Sequence, residues 1–352
     1  MTVQDKRREI GLDRFINTKP KPVDLAASDL VEVKHPGVGD SAYVVIRPVL
    51  EDLNSCGWVR SNLDFINRAL LECGAIVFRD FDIDSVSRFE MFIRSFPLEL
   101  MDYIDQHTPR TRVASDVYTS TEYPADHRIP FHSENSKNQQ WPMKIWFFCL
   151  QPAAQGGETP FADNRRVFNA IDAKIRERFA RNGVMYVRNF GQGLGLSWQT
   201  AFQTTSRVRV EEYCKRAKMD FEWRDGDRLR VRQICQSVAL HPVTNEMLWF
   251  NQAHLFHVSS LEPAARESML SIFKQEDLPS NSYYGDGGEI EAAVLDEIRA
   301  AFSQAEVIFT WRRNDILMLD NMLMAHGRRP YLGERKVLVA MAEPYRNRTF
   351  SN

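Results

Sequence analysis

The amino-acid sequence predicts a mainly β protein with α insertions, built on a double-stranded β-helix (jelly-roll) core flanked by helices. Three observations predict it. Short apolar, aromatic-rich runs punctuated by turn residues lie towards both ends of the chain. A long middle segment mixes short strands with helix-spaced patterns. The length, 352 residues, is large for one domain but within reach of a β-rich enzyme carrying helical insertions.

Taken in order, residues 1–40 are polar and broken by Lys19-Pro20-Lys21-Pro22 and His35-Pro36-Gly37, which predicts a loosely held arm. Residues 41–352 read as a single domain. Apolar residues at helical spacing between Val49 and Cys73 put Leu63, Ile66, Leu70 and Leu71 on one side. A buried strand follows at Gly74–Phe81, then a helix at Asp84–Phe96 with Ser85 or Asp84 near its cap. Val113–Tyr118, a strand around His132, and the aromatic run Trp141–Leu150 have strand character. Gln155-Gly156-Gly157 reads as a turn, Arg165–Arg181 as one amphipathic helix and Val184–Phe190 as a strand. Residues 191–300 read as the insertion, with helical patterns at Trp198–Met219, Pro263–Gln275 and Ile290–Ala301. Strands return at Asp315–Asp320, Met322–Ala325 and Lys336–Met341.

A formal net charge of −2 gives no bulk electrostatic reason to expect nucleic acid or a membrane surface as partner. Five widely spaced cysteines without a CxxC pair read as reduced thiols, neither a disulfide frame nor a thiolate metal site. The charged N-terminal stretch lacks the apolar core of a signal peptide, and no apolar run is long enough to span a bilayer. A cytoplasmic location is the expectation.

The chemistry starts at Ile129-Pro130-Phe131-His132-Ser133-Glu134-Asn135. On a strand, His132 and Glu134 share a face and can hold two corners of a metal. Zinc in a closed site needs further nitrogen or sulfur ligands. Non-heme iron(II) needs one more histidine and open positions. The triplet alone is weak, because eight histidines and 47 acidic residues yield about one His-x-acid triplet by chance. A histidine bonded to a neighbour on a half-exposed strand explains it equally. The second element is Asp320–Arg335, where an apolar strand ends in His326, a Gly-containing turn follows, and Arg335 opens the next strand. His326 offers a third imidazole ligand, and Arg335 a planar cation able to take a carboxylate bidentately. A backbone-bonded histidine and a surface ion pair are the bland alternatives. The coincidence of all four residues favours the site.

The order His132-x-Glu134, then Gly156-Gly157-Glu158-Thr159-Pro160, then His326-Gly327-Arg328 and Gly333-x-Arg335 resembles the taurine-dioxygenase/clavaminate-synthase-like family of iron(II)- and 2-oxoglutarate-dependent oxygenases. Arg188-Asn189-Phe190-Gly191, Trp198-Gln199, His241-Pro242 and Trp249–Gln252 bring it nearer the syringomycin-pathway aspartyl-hydroxylase branch. The resemblance spans roughly Tyr118 to Pro344. It implies His132, Glu134 and His326 as ligands of iron(II), and Arg335 with Thr159 on the distal carboxylate of 2-oxoglutarate. O2 is then the second co-substrate. A carboxylate at 134 implies hydroxylation or desaturation, not halogenation. Val339 stands where sulfonate-using members carry a further arginine, which argues against a taurine-like substrate.

The resemblance implies hydroxylation of an unactivated C–H bond in an amino acid or derivative, in specialised-metabolite biosynthesis. The substrate is a small molecule, either free or tethered to a peptide-synthetase carrier protein. A non-catalytic jelly-roll binding protein and a zinc hydrolase are the competing classes. Asn135 and Asn251 are candidate substrate contacts by analogy, although asparagine is ordinary turn chemistry. Arg230 and Arg232, alternating with Val231 beside Arg228 and Leu229, make a basic strand face for an acidic group or simply for water. His241, and His254 with His257 three residues on, are rival ligands better read as structural.

Overall fold

The structure, a computed structural model, describes residues 30–36, 43–101, 111–120, 123–191, 193 and 195–347. Two sheets face each other across an apolar interior. The larger has eight strands, in spatial order Val31–Lys34, Val44–Pro48, Ala75–Phe78, Ile316–Asp320, Gln140–Gln151, Lys336–Arg346, Val117–Thr119 and Arg112–Ala114. Only Val44–Pro48 and Ala75–Phe78 pair in parallel. The smaller sheet runs Glu306–Val307, Phe161–Asp163, Met324–Arg328, Ile129–His132.

Within the Gln140–Gln151 strand, the run Ile145–Leu150 is apolar without interruption because both of its faces are covered. Ile145, Phe147 and Cys149 point inward, against Leu317, Leu319, Val337 and Val339. Trp146 and Phe148 point outward and pack beneath the helices Ser55–Ser61, Leu63–Cys73 and Val86–Ile93 through Trp58, Ile66, Leu70, Phe89 and Phe92. The outer face of the smaller sheet offers Phe131, Ala162 and Ala325 to Val167, Phe179, Leu295, Ile298 and Phe302. These come from the helices Asn164–Ala170, Ala173–Asn182 and Ala292–Gln304. The result is helix, sheet, sheet, helix. Within the segment read as an insertion, Asp220–Arg224, Arg228–Cys235 and Ser280–Tyr284 build a separate antiparallel sheet on Val184–Phe190. Among the described residues, no helix is long and apolar enough to cross a membrane.

Several expectations are corrected. Most of the expected arm lies outside the described residues, but Val31–Lys34 is an edge strand of the larger sheet, with Val31 buried. The expected helix Arg165–Arg181 is two helices, because the Asp172 carboxylate accepts from Lys174 N–H (2.8 Å) and starts a new one. Trp198–Met219 likewise divides into Trp198–Ala201 and Arg207–Arg216, capped by Ser197 and Ser206. The strand around His132 stops at His132, so Glu134 lies in a turn.

The last correction concerns Gly327. It lies inside the strand Met324–Arg328, not in a turn after His326. A Cβ at 327 meets the carbonyl oxygen of Ile129 at 2.6 Å, so glycine is what lets these two strands approach. Gly327→Ala is therefore expected to cost about 1–3 kcal/mol in denaturant unfolding and to weaken metal binding in the same protein. An alanine variant with wild-type stability and metal affinity contradicts this reading of the strand pair.

Candidate metal centre

In the smaller sheet, His326 is the direct antiparallel partner of His132. Directly opposite residues share a face, so the two imidazoles meet, with ring centroids 4.5 Å apart. Glu134 arrives by a different route. Beyond the strand end the chain turns, with Asn135 in the left-handed region (φ 57°). One donor atom each from His132, Glu134 and His326 then falls within 4.8 Å of the others. Glu134 and His326 are buried, and His132 is half-buried.

Buried carboxamides hold this turn. Asn321 Oδ1 accepts from Glu134 N–H (2.7 Å), and its Nδ2 donates to the carbonyls of Glu134 (2.9 Å) and Pro142 (2.8 Å). Gln252 Nε2 donates to Ser133 O, and Asn164 Nδ2 to Ser133 Oγ. Backbone groups that leave the ladder at His132 thus find side-chain partners. The tautomer of His132 is fixed as well. Its Nδ1 lies 2.9 Å from Pro130 O, an oxygen that can only accept, so Nε2 carries the lone pair.

A cleft with about 380 Å³ of empty space, open mouth included, is lined by His132, His326, Phe147, Thr159, Arg328 and Arg335, among others. Arg335 Nε donates to Gly157 O (3.0 Å) and Nη2 to Thr159 Oγ1 (3.4 Å). A side chain at Gly157 would crowd the Arg335 stem at 3.0 Å. Burial pulls the Arg335 pKa down to about 10, and among the described residues no carboxylate pairs with it. Trp311 Nε1 also donates to Thr159 Oγ1 (2.9 Å). Both lone pairs of that hydroxyl are then filled, which turns its O–H into a donor for a ligand. Trp311 carries no motif, and nothing in the sequence marks it.

The other candidates fall outside this cleft. Asn251 lies just before the helix Ala253–Phe256 and is used structurally, accepting from Ala253 N–H and donating to Ser237 O. Asn135 lines a second cavity, with Arg216, Arg346 and Gln233. Arg230 does not belong to a solvated basic face. It is buried, and donates to Asn189 Oδ1, Glu276 O and Asp277 Oδ1. Arg232 is half-buried on the same strand. His241 uses both nitrogens, donating to Asp320 and accepting from Val243 and Thr244. His257 accepts from Ser259 N–H. His254 donates from Nε2 to Phe131 O, behind the His132 strand.

Residues 52–341 match the family model described as taurine catabolism dioxygenase TauD, TfdA family. The chain belongs to that family and is a 2-oxoglutarate-dependent non-heme iron dioxygenase, with iron(II), 2-oxoglutarate and O2 as its cofactor and co-substrates. It is 43% identical over 279 residues to the dapdiamide synthesis protein DdaC of Enterobacter agglomerans, covering 79% of this chain and 85% of that one. It is 27% identical over 300 residues to a clavaminate synthase-like protein of Arabidopsis thaliana, covering 81% and 86%. In fold it is similar to PvcB of Pseudomonas aeruginosa, with TM-score 0.52, 13% identity and coverage of 91% and 93%. A second similar structure is AAD-2 in complex with Mn(II) and N-oxalylglycine, with TM-score 0.50, 16% identity and coverage of 89% and 97%. At such identities these two structures carry the jelly-roll fold alone. The donor set fits the metal: two imidazoles and one carboxylate, with further positions open, suit non-heme iron(II).

Two outcomes are expected. Asn321→Leu removes the clamp on both sides of Glu134 and should lower iron(II) affinity by about 10–100-fold in a chelator competition. His254 is held neutral by burial, its pKa lowered from 6.5 to about 4. The unfolded chain therefore takes up this proton first, so the contribution is complete above pH 6.5 and is lost as pH falls towards 4. His254→Gln should flatten the acid limb of stability by on the order of 3 kcal/mol, read from denaturation at a series of pH values.

Proposed function

We propose that His132, Glu134 and His326 hold the iron(II), and that Arg335 and Thr159 seat the distal carboxylate of 2-oxoglutarate. The observation that carries this is one cleft uniting an N2O donor cluster with a buried guanidinium that has no carboxylate of its own. With both bound, the metal supplies O2 activation coupled to oxidative decarboxylation of the keto acid to succinate. The chain's residues do the rest. Arg335 and Thr159 orient the keto acid, Glu134 and the imidazoles leave sites open, and Phe147 walls the cleft with an apolar face, its ring 4.9 Å from His326.

The reaction we assign is hydroxylation of an unactivated C–H bond in an amino acid or derivative, either free or carried on a peptide-synthetase carrier protein. The match to a dapdiamide synthesis protein supports a biosynthetic role. The buried Val339 removes the cation that a sulfonate substrate needs and supports a non-taurine substrate. Five cysteines, none joined to another in a disulfide, support a reducing, cytoplasmic setting.

Anaerobic titration of iron(II) protein with 2-oxoglutarate should develop a visible charge-transfer band that His326→Ala abolishes. Arg335→Gln should keep iron binding but weaken 2-oxoglutarate by about 100-fold or more, as expected when one partner of a buried charge pair is lost. Persistence of the band in His326→Ala means another residue holds the metal. Succinate release is then compared with free and carrier-loaded amino acids. Turnover of free amino acids alone removes the carrier.

A further inference from the structure

We infer that Arg328 is a second carboxylate-binding cation of the cleft, standing beside Arg335. The inference rests on the proposed iron and 2-oxoglutarate site and names one more contact in it. Arg328 follows His326 by two residues on the same strand, so period-two geometry turns both side chains to the same face. The backbone bonds Gly327 N–H to Pro160 O and Arg329 N–H to Glu158 O continue the antiparallel register. They set Arg328 opposite Thr159, the residue assigned to the co-substrate carboxylate. Both side chains line the cleft.

The bonding of Arg328 is incomplete in a telling way. Its residue is only 5% exposed. Nη1 donates to Tyr123 O (2.9 Å), and Nη2 to Pro124 O (2.5 Å) and His127 O (2.8 Å). Nε is buried with no hydrogen-bond partner. Carbonyl oxygens satisfy donors but neutralise no charge, and among the described residues no carboxylate pairs with this guanidinium. Anchoring a loop by its carbonyls needs N–H donors, which a neutral amide also supplies. It does not need a buried cation. Arg328 and Arg335 moreover flank one ring, their guanidinium carbons 5.0 and 5.7 Å from the centroid of Tyr331. Two like charges brought together in a low-dielectric cleft repel until an anion enters.

The ligand chemistry is a carboxylate near the metal. It comes either from the inner carboxylate of the keto acid or from the substrate. Calorimetry on the anaerobic, Mn(II)-loaded full chain separates the two. Wild type, R328Q and R328K are titrated with 2-oxoglutarate, with pyruvate, and with acetate after saturation by 2-oxoglutarate. Pyruvate keeps the inner carboxylate and lacks the distal one. Equal weakening of 2-oxoglutarate and pyruvate in R328Q, about 30-fold or more, assigns Arg328 to the inner carboxylate. Unchanged keto-acid binding with loss of acetate binding assigns it to the substrate. Wild-type affinity for all three probes overturns the inference and leaves Arg328 as a loop anchor. R328K keeps the charge, so binding retained in R328K and lost in R328Q assigns the effect to charge; if R328Q does not fold, R328M, which keeps the apolar stem without the charge, carries the same test. Failure of wild type itself to bind 2-oxoglutarate refutes the proposed function, a result distinct from any of these.

Discussion

The site depends on one register. His326 sits opposite His132 because the strands Met324–Arg328 and Ile129–His132 pair where Gly327 allows Ile129 to come close. A one-residue slip would send one imidazole to the outer face, among Phe131, Ala325 and Phe302, and leave no pair of ligands. The pairing shifts register between His326 and Arg328. That irregularity falls where a cleft must open, and such bulges commonly re-aim side chains next to functional sites. The third ligand lies beyond the regular strand, so its position is a matter of hydrogen bonding. Asn321, Gln252 and Asn164 replace the missing ladder with buried amides. A buried hydrogen-bond network of this kind makes a rigid local structure out of a turn.

This explains what was legible beforehand and what was not. The aromatic strand around Ile145–Cys149 was legible because both faces are buried, and a run with no polar residue has few other folds. His132, Glu134, His326, Thr159 and Arg335 were singled out, and the structure brings the first three into one cluster and the last two into its cleft. The reason first advanced for Glu134, strand periodicity, is not the reason it arrives. A His-x-Glu spacing serves equally well for a strand and for a strand end followed by a left-handed asparagine. Arg230 misled in the opposite sense. Alternation along a strand cannot tell water from Asp277, which is 47 residues away in sequence. Trp311 was illegible because its role is a single long-range hydrogen bond, which leaves no local pattern.

Charge is the basis of the selectivity proposed for the cleft. A guanidinium removed from water loses solvation that only a close anion restores in full. Arg335 finds a carbonyl and a hydroxyl, and Arg328 finds three carbonyls. Both arrangements orient the cation without neutralising it. Such a cleft discriminates by what it lacks, since a neutral occupant leaves the electrostatic cost standing and a dianion relieves it. The thiol of Cys149 offers no substitute, because burial pushes its pKa up to about 12 and keeps it uncharged.

The segment expected to be an insertion is tied to the metal centre from behind. His254 and Gln252 bond the backbone of Phe131 and Ser133, on either side of His132. The backbone N–H of Gln252 donates to the hydroxyl of the buried Tyr186. Arg299 donates to His254 O, and Ser282 to Ala253 O, so a helix and a strand of that segment brace the short helix Ala253–Phe256. A displacement of this block reaches His132 through one or two hydrogen bonds as well as through the apolar cluster that Phe131 shares with Ala253 and Phe256. Substitutions at Gln252 or His254 are therefore mechanically coupled to the backbone that carries His132 and Glu134, the proposed metal ligands.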